Sequence, residues 1–164
     1  YHEIAQGSEF IEDGGSITIN ASSDDALSSL DSFNIVGVLV TITHEDTETV
    51  NGPLCAVAEP PQDDTVEATI SHADLSAGGA DTNSFDFQLN WHNSSLVNTN
   101  VSNMTKADIE SMLDGGGIGF GMHDLVIGVT VQNGGGLGCN SNDDGQDVSY
   151  TIELVSLDYS VNPV

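Results

Sequence analysis

Arginine is absent from this chain and lysine occurs once, at Lys106, against 26 aspartates and glutamates. Binding nucleic acid or an anionic membrane surface depends on Lys and Arg neutralising phosphates, so a net charge of -25 sets both partner classes aside. Salt-bridge networks cannot be assembled from one base, and the self-repulsion has to be met by solvent cations. Long apolar runs are also missing. Nothing approaches the roughly 20 residues that cross a bilayer as a helix, and no membrane insertion is expected. Aromatics make up 5% of the chain, too few for the broad ring platform of many carbohydrate binders.

Catalytic signatures are equally scarce. His44-Glu45 does not open a zinc-protease motif, because Glu48 stands where the second histidine belongs. The glycine run 115–121 follows a helical pattern instead of preceding one and has no lysine beside it, so it does not cradle phosphate. No G-x-S-x-G elbow occurs, and nothing selects a hydrolytic carboxylate pair from so many acids. The expectation is a protein that is not an enzyme. His72 with Asp74, His92 with Asn93 and His123 with Asp124 read as surface turn pairs.

What is present points outside the cell. Cys55 and Cys139 make an even count and are expected to form a disulfide, which fits an oxidising compartment. On the chain-entropy account a bridge closing roughly 80 residues stabilises by about 4 to 5 kcal/mol. N-glycosylation sequons stand at Asn20, Asn93, Asn100 and Asn103, the last three on what should be one exposed loop. Tyr1 reads as a processed terminus, and the chain as secreted or cell-surface. Poverty in Lys and Arg with an excess of Asp resembles the secreted proteins of salt-adapted microbes, a resemblance of composition only.

Hydrophobic content of 38% falls into period-two patterns that can fold. The strongest lies in 123–161, where Leu125, Ile127, Val129 and Val131 share a face, as do Val148, Tyr150, Ile152 and Leu154. Two long strands joined by a Gly/Asx loop are predicted there, read as a hairpin. After Leu154 the apolar phase moves to Val155, Leu157, Tyr159 and Val161, which predicts a bulge or, preferably, a change of sheet. Phe33 to Thr43 reads as a central strand, and 66–70 as a short one. Phe85, Phe87, Leu89 and Trp91 line the inner face of a half-exposed strand, with Tyr159 the better candidate for an exposed ring. Gly78-Gly79 reads as a loop. Thr105 and Asp108 form a capping-box pattern that opens the one good helix, near 105–114, with Ile109, Met112 and Leu113 on its apolar face.

The fold class is therefore all-β: an antiparallel two-sheet sandwich, jelly-roll or immunoglobulin-like, of about seven or eight strands with one short helix. Residues 14–164 form a single domain, and 1–13 an arm or edge strand anchored by Ile4, Phe10 and Ile11. One cofactor is admitted by pattern. Asn140, Asn142 and Asp144 before Gly145 match the first half of a calcium loop, although Thr151 replaces the acid expected at its twelfth position.

Two functions from different classes follow. The leading one is a structural subunit that polymerises with itself into a filament, pilus-like fibre or coat, its arm adding to a sheet edge of the next copy. The alternative is a calcium-dependent module that binds glycans or a partner protein.

Overall fold

The computed structural model describes every residue except 25–29, 31–32, 46–48, 54–62, 133–134, 137–138 and 163–164. Eight long strands make two four-stranded antiparallel sheets. The first sheet runs β1 (His2–Glu12), β11 (Gly145–Ser156), β3 (Ile35–His44), β7 (Phe85–Asn90) across its width. The second runs β2 (Ser16–Ser22), β8 (Met122–Thr130), β5 (Thr65–His72), β6 (Leu75–Asp81). A small third sheet joins β4 (Thr49–Asn51), β10 (Cys139–Asn142) and β9 (Gly135–Gly136), of which only the backbone is described.

That order has a simple origin. Strand β1 pairs with β11, β2 with β8, β3 with β7 and β5 with β6, so the chain is one long antiparallel hairpin rolled up on itself. Its tip is the turn at Ala73-Asp74, where Ala73 adopts a left-handed φ of 51°. This is the jelly-roll topology. The immunoglobulin-like option, left open by periodicity alone, is thereby removed.

The core lies between the sheets and is filled as the alternation predicts. Val38, Val40 and Ile42 of β3, Val148 and Ile152 of β11, Val66 and Ile70 of β5, and Leu125, Ile127 and Val129 of β8 are all buried. Strand β3 is central in its sheet, flanked by β11 and β7. Strand β7 turns Phe85, Phe87 and Leu89 inward, followed by Trp91, and leaves Asp86, Gln88 and Asn90 exposed.

Three expectations are corrected. Strands β8 and β11 are not a hairpin: they lie in opposite sheets, and the chain crosses the sandwich between Thr130 and Gly145. Alternation tells which face of a strand is buried, and both members of a facing pair show the same alternation. The phase change after Leu154 is a bulge, because the register of β11 against β3 shifts between Val155 and Ser156 and no strand follows among the described residues. Gly78 and Gly79 lie inside strand β6 and not in a loop. A β-carbon at Gly79 would meet the Phe85 ring at 3.2 Å, so the smallness of this edge strand admits the aromatic of β7.

Residues 2–12 form an edge strand that pairs with β11 of the same chain over almost its full length. Ile11 is buried, Ile4 packs against the core and Phe10 stays 52% exposed. The helix α1 (Lys106–Leu113) starts where predicted. The Thr105 hydroxyl accepts from the Asp108 N–H at 3.2 Å, and Asp108 accepts from the Thr105 N–H at 3.1 Å. Only Leu113 of its apolar face is buried; Met112 is 44% exposed. Among the described residues no helix is long and apolar enough to cross a membrane.

Candidate functional site

A cleft of about 840 Å³ lies outside the sheets, between the 96–104 segment, α1 and the 157–162 segment. Each wall is fixed locally. Asn93 caps a short 3-10 helix, Ser94–Leu96, its side-chain oxygen accepting from the Ser95 N–H at 3.2 Å and the Ser95 hydroxyl at 2.7 Å. The Thr99 hydroxyl donates to the Leu96 carbonyl at 2.9 Å, and Asn98 and Asn103 take left-handed backbone conformations that asparagine tolerates.

The third wall is held by Asn34. Its amide donates to the carbonyls of Leu113 at 2.8 Å and Leu157 at 3.2 Å. Its side-chain oxygen accepts from the Gly115 N–H at 2.7 Å, and its carbonyl accepts from the Leu157 N–H at 2.9 Å. One side chain thus joins the end of α1, the glycine run and the last described segment. Tyr159 adds a further tie, its hydroxyl donating to the Glu110 carbonyl at 3.3 Å. Burial, reinforced by the carboxylates of Asp114 and Glu110, raises the Tyr159 pKa, so the phenol remains a donor at neutral pH.

The cleft lining mixes amides and hydroxyls with apolar side chains in about equal measure. Asn98, Thr99, Asn100, Ser102, Ser160 and Asn162 supply polar groups, and Val97, Val101, Met104, Ile109, Leu113 and Leu157 are among the apolar ones. Lys106, the only base of the chain, stands at its border and pairs with Glu110 at 3.5 Å. A second hollow of about 270 Å³ opens on the other side of Tyr159, bounded by Phe33, Asn34, Ile35, Asp114, Gly117 and Phe120. The Tyr159 ring, 38% exposed, is shared by both.

Behind the second hollow the glycine run is pinned by histidines. His72 and His123 stack with ring centroids 4.0 Å apart, and Trp91 lies 5.8 Å from His72. His72 Nδ1 lies 2.7 Å from the Met122 carbonyl and its Nε2 faces the Ile118 carbonyl, while His123 Nε2 lies 3.1 Å from the Gly119 carbonyl. A β-carbon on Gly119 would overlap Ile35 and sit 2.8 Å from Trp91, so this approach requires glycine. Both histidines are buried, which corrects the surface-turn reading. They continue the inward positions of their strands, two residues after Ile70 and two before Leu125. Burial and the neighbouring His72 lower the His123 pKa to about 4, so its ring is neutral at pH 7.

The sequence-predicted residues are dispersed. Asn20 is exposed on β2, and Asn93, Asn100 and Asn103 are exposed around the large cleft, the first with its side chain engaged in capping. Cys55 lies outside the described residues, as does the side chain of Cys139, so the expected disulfide falls there too. The backbone of Asn140 and Asn142 belongs to strand β10, paired with Asn51 and Thr49, their side chains again outside the described residues. Asp144 is exposed, its carbonyl accepting from the Asp13 N–H at 3.1 Å. Among the described residues no three His, Cys, Asp or Glu side chains are grouped to hold a metal.

No family model, curated protein or solved structure matches the chain. Function therefore rests on the cleft itself. Sequence reasoning singled out Tyr159 but missed Asn34, Asn98 and Asn162. Isolated asparagines in loops carry no spacing signal, and only the tertiary fold brings them around one ring.

Proposed function

We propose that this chain is a binding module of a secreted or cell-surface protein, and that its ligand is a neutral hydroxyl-rich chain of the oligosaccharide class. The carrying observation is the partly exposed Tyr159 ring set between a cleft that carries amides and hydroxyls and a smaller hollow bounded by Phe33, Ile35 and Phe120. A sugar offers a C–H face that packs on an aromatic ring and hydroxyls that exchange hydrogen bonds with Asn, Ser and Thr, which matches this lining. The surrounding acids Glu110, Asp114 and Asp158 disfavour an anionic ligand. An extracellular setting is supported by composition: strong acidity and the four sequons.

Self-assembly through the arm, the leading expectation from sequence, is the less favoured proposal. Ile4 and Ile11 already pack within their own sandwich, and the jelly roll has its eight strands without a donated one. Screening the protein on a glycan array tests the binding reading. At least one neutral oligosaccharide should bind, and Tyr159→Ala should weaken it roughly 10-fold or more, in line with about 1 to 2 kcal/mol for a stacked ring. Array silence, or binding indifferent to both Tyr159→Ala and Asn162→Ala, would refute it.

A further inference from the structure

The smaller hollow beside Tyr159 differs in chemistry from the large cleft, with which it shares only that residue. Phe33, Phe120 and Tyr159 all bound it, in a chain that is only 5% aromatic. Each ring is held in place. His2 packs on Phe33 with ring centroids 4.4 Å apart and does not itself bound the hollow. Phe120 packs against the small core of Leu30, Ile35 and Leu154, and its N–H donates to the Gly117 carbonyl at 3.4 Å. Tyr159 is tied through its hydroxyl to the Glu110 carbonyl. Among the described residues none of these three rings stacks on another, so the space between them is open.

Two polar side chains also bound the hollow, and they differ in what they have left to offer. Asn34 is engaged, its amide donating to the Leu113 and Leu157 carbonyls and its oxygen accepting from the Gly115 N–H. Asp114 gives one carboxylate oxygen to the Gly116 N–H at 2.8 Å, and its other oxygen accepts from no donor among the described residues. The chain's only lysine is paired with Glu110 and there is no arginine, so neither base type neutralises Asp114.

We propose that this hollow binds a small quaternary ammonium group of the choline type, its methyl groups against Phe33, Phe120 and Tyr159 and its charge beside Asp114. Aromatic rings attract a cation whose charge is spread over C–H groups, and one carboxylate supplies the countercharge. The alternatives fit less well. A metal ion needs several oxygen ligands, and a primary ammonium brings three N–H donors to a hollow with one open acceptor side chain. A neutral apolar ligand would desolvate Asp114 without compensation. At about 270 Å³ the hollow lies just below drug-sized pockets of roughly 300 Å³ upward, which suits a single headgroup.

Isothermal titration with choline chloride in about 1 M sodium chloride tests it, because a screening length of about 3 Å suppresses diffuse attraction to the acidic surface. Choline should bind one to one with a Kd of about 1 mM or tighter, and the neutral alcohol with carbon in place of the nitrogen about 10-fold more weakly. Phe33→Leu, at a ring 39% exposed, and Asp114→Asn, which keeps an acceptor for Gly116, should preserve the native circular dichroism. Each should weaken choline about 3-fold or more. The site is overturned by the absence of saturable choline binding, by equal affinity for the carbon isostere, or by choline affinity unchanged in both folded variants. None of these outcomes bears on oligosaccharide binding through Asn162, which lines the large cleft alone.

Discussion

His123 is where one residue's environment sets a measurable property of the whole protein. Burial and His72 depress its pKa from 6.5 to about 4; the Gly119 carbonyl and Asp124 oppose that shift without cancelling it. The unfolded chain therefore takes up a proton that the folded one refuses. The stabilisation from keeping His123 neutral is fully present above pH 6.5 and is lost as pH falls from there towards 4. A shift of this size corresponds to about 3 kcal/mol. Urea midpoints of the parent and of His123→Gln, compared between pH 7.5 and 4.5, should show the parent's advantage shrinking with acid. A constant difference would mean the ring is not held neutral by the fold. The buried position of His123 could have been read from its parity with Leu125. Histidine's polarity argued for the surface, and the carbonyls that offset it belong to a loop with no pattern of its own.

At the scale of elements, the start of α1 was legible, unlike its buried face, because that start is local chemistry: a hydroxyl and a carboxylate three residues apart satisfy the first free N–H groups. Thr105→Ala should cost about 1 kcal/mol by chemical denaturation, and Thr105→Ser should restore most of it. Equal losses in the two variants would show that the cap contributes little. Because α1 walls the large cleft, the same alanine variant tests whether ligand binding requires an ordered helix. Strands β3, β7 and β8 were equally readable, since large apolar side chains alternate in each. Strand β6 was not: Leu-Ser-Ala-Gly-Gly-Ala-Asp has no large alternating residues, being small where Phe85 must approach. The partners of β8 and β11 were hidden for a different reason. Pairing is a property of topology, and either strand's pattern is satisfied by a hairpin or by two facing sheets. The cleft was the least legible feature, assembled from segments 96–104, 106–113 and 157–162 that no periodicity connects.

For the molecule as a whole, charge dominates. With 26 acids and one lysine, the folded state gathers repulsion that an expanded chain relieves. Raising sodium chloride from about 0.1 to 1 M shortens the screening length from about 10 to 3 Å and should raise Tm substantially. A Tm indifferent to salt would mean the acids are spaced well enough not to matter. The rolled hairpin bears on a different property, the order in which the molecule can come into being. Its first strand finds its neighbour only in β11, so contact order is high and folding belongs to the slow regime of milliseconds to seconds typical of β-sandwiches. During synthesis, β1 emerges with its apolar anchors and an unpaired edge and must wait until β11 has left the ribosome. Throughout that interval the same acidic surface that strains the finished fold keeps nascent copies apart.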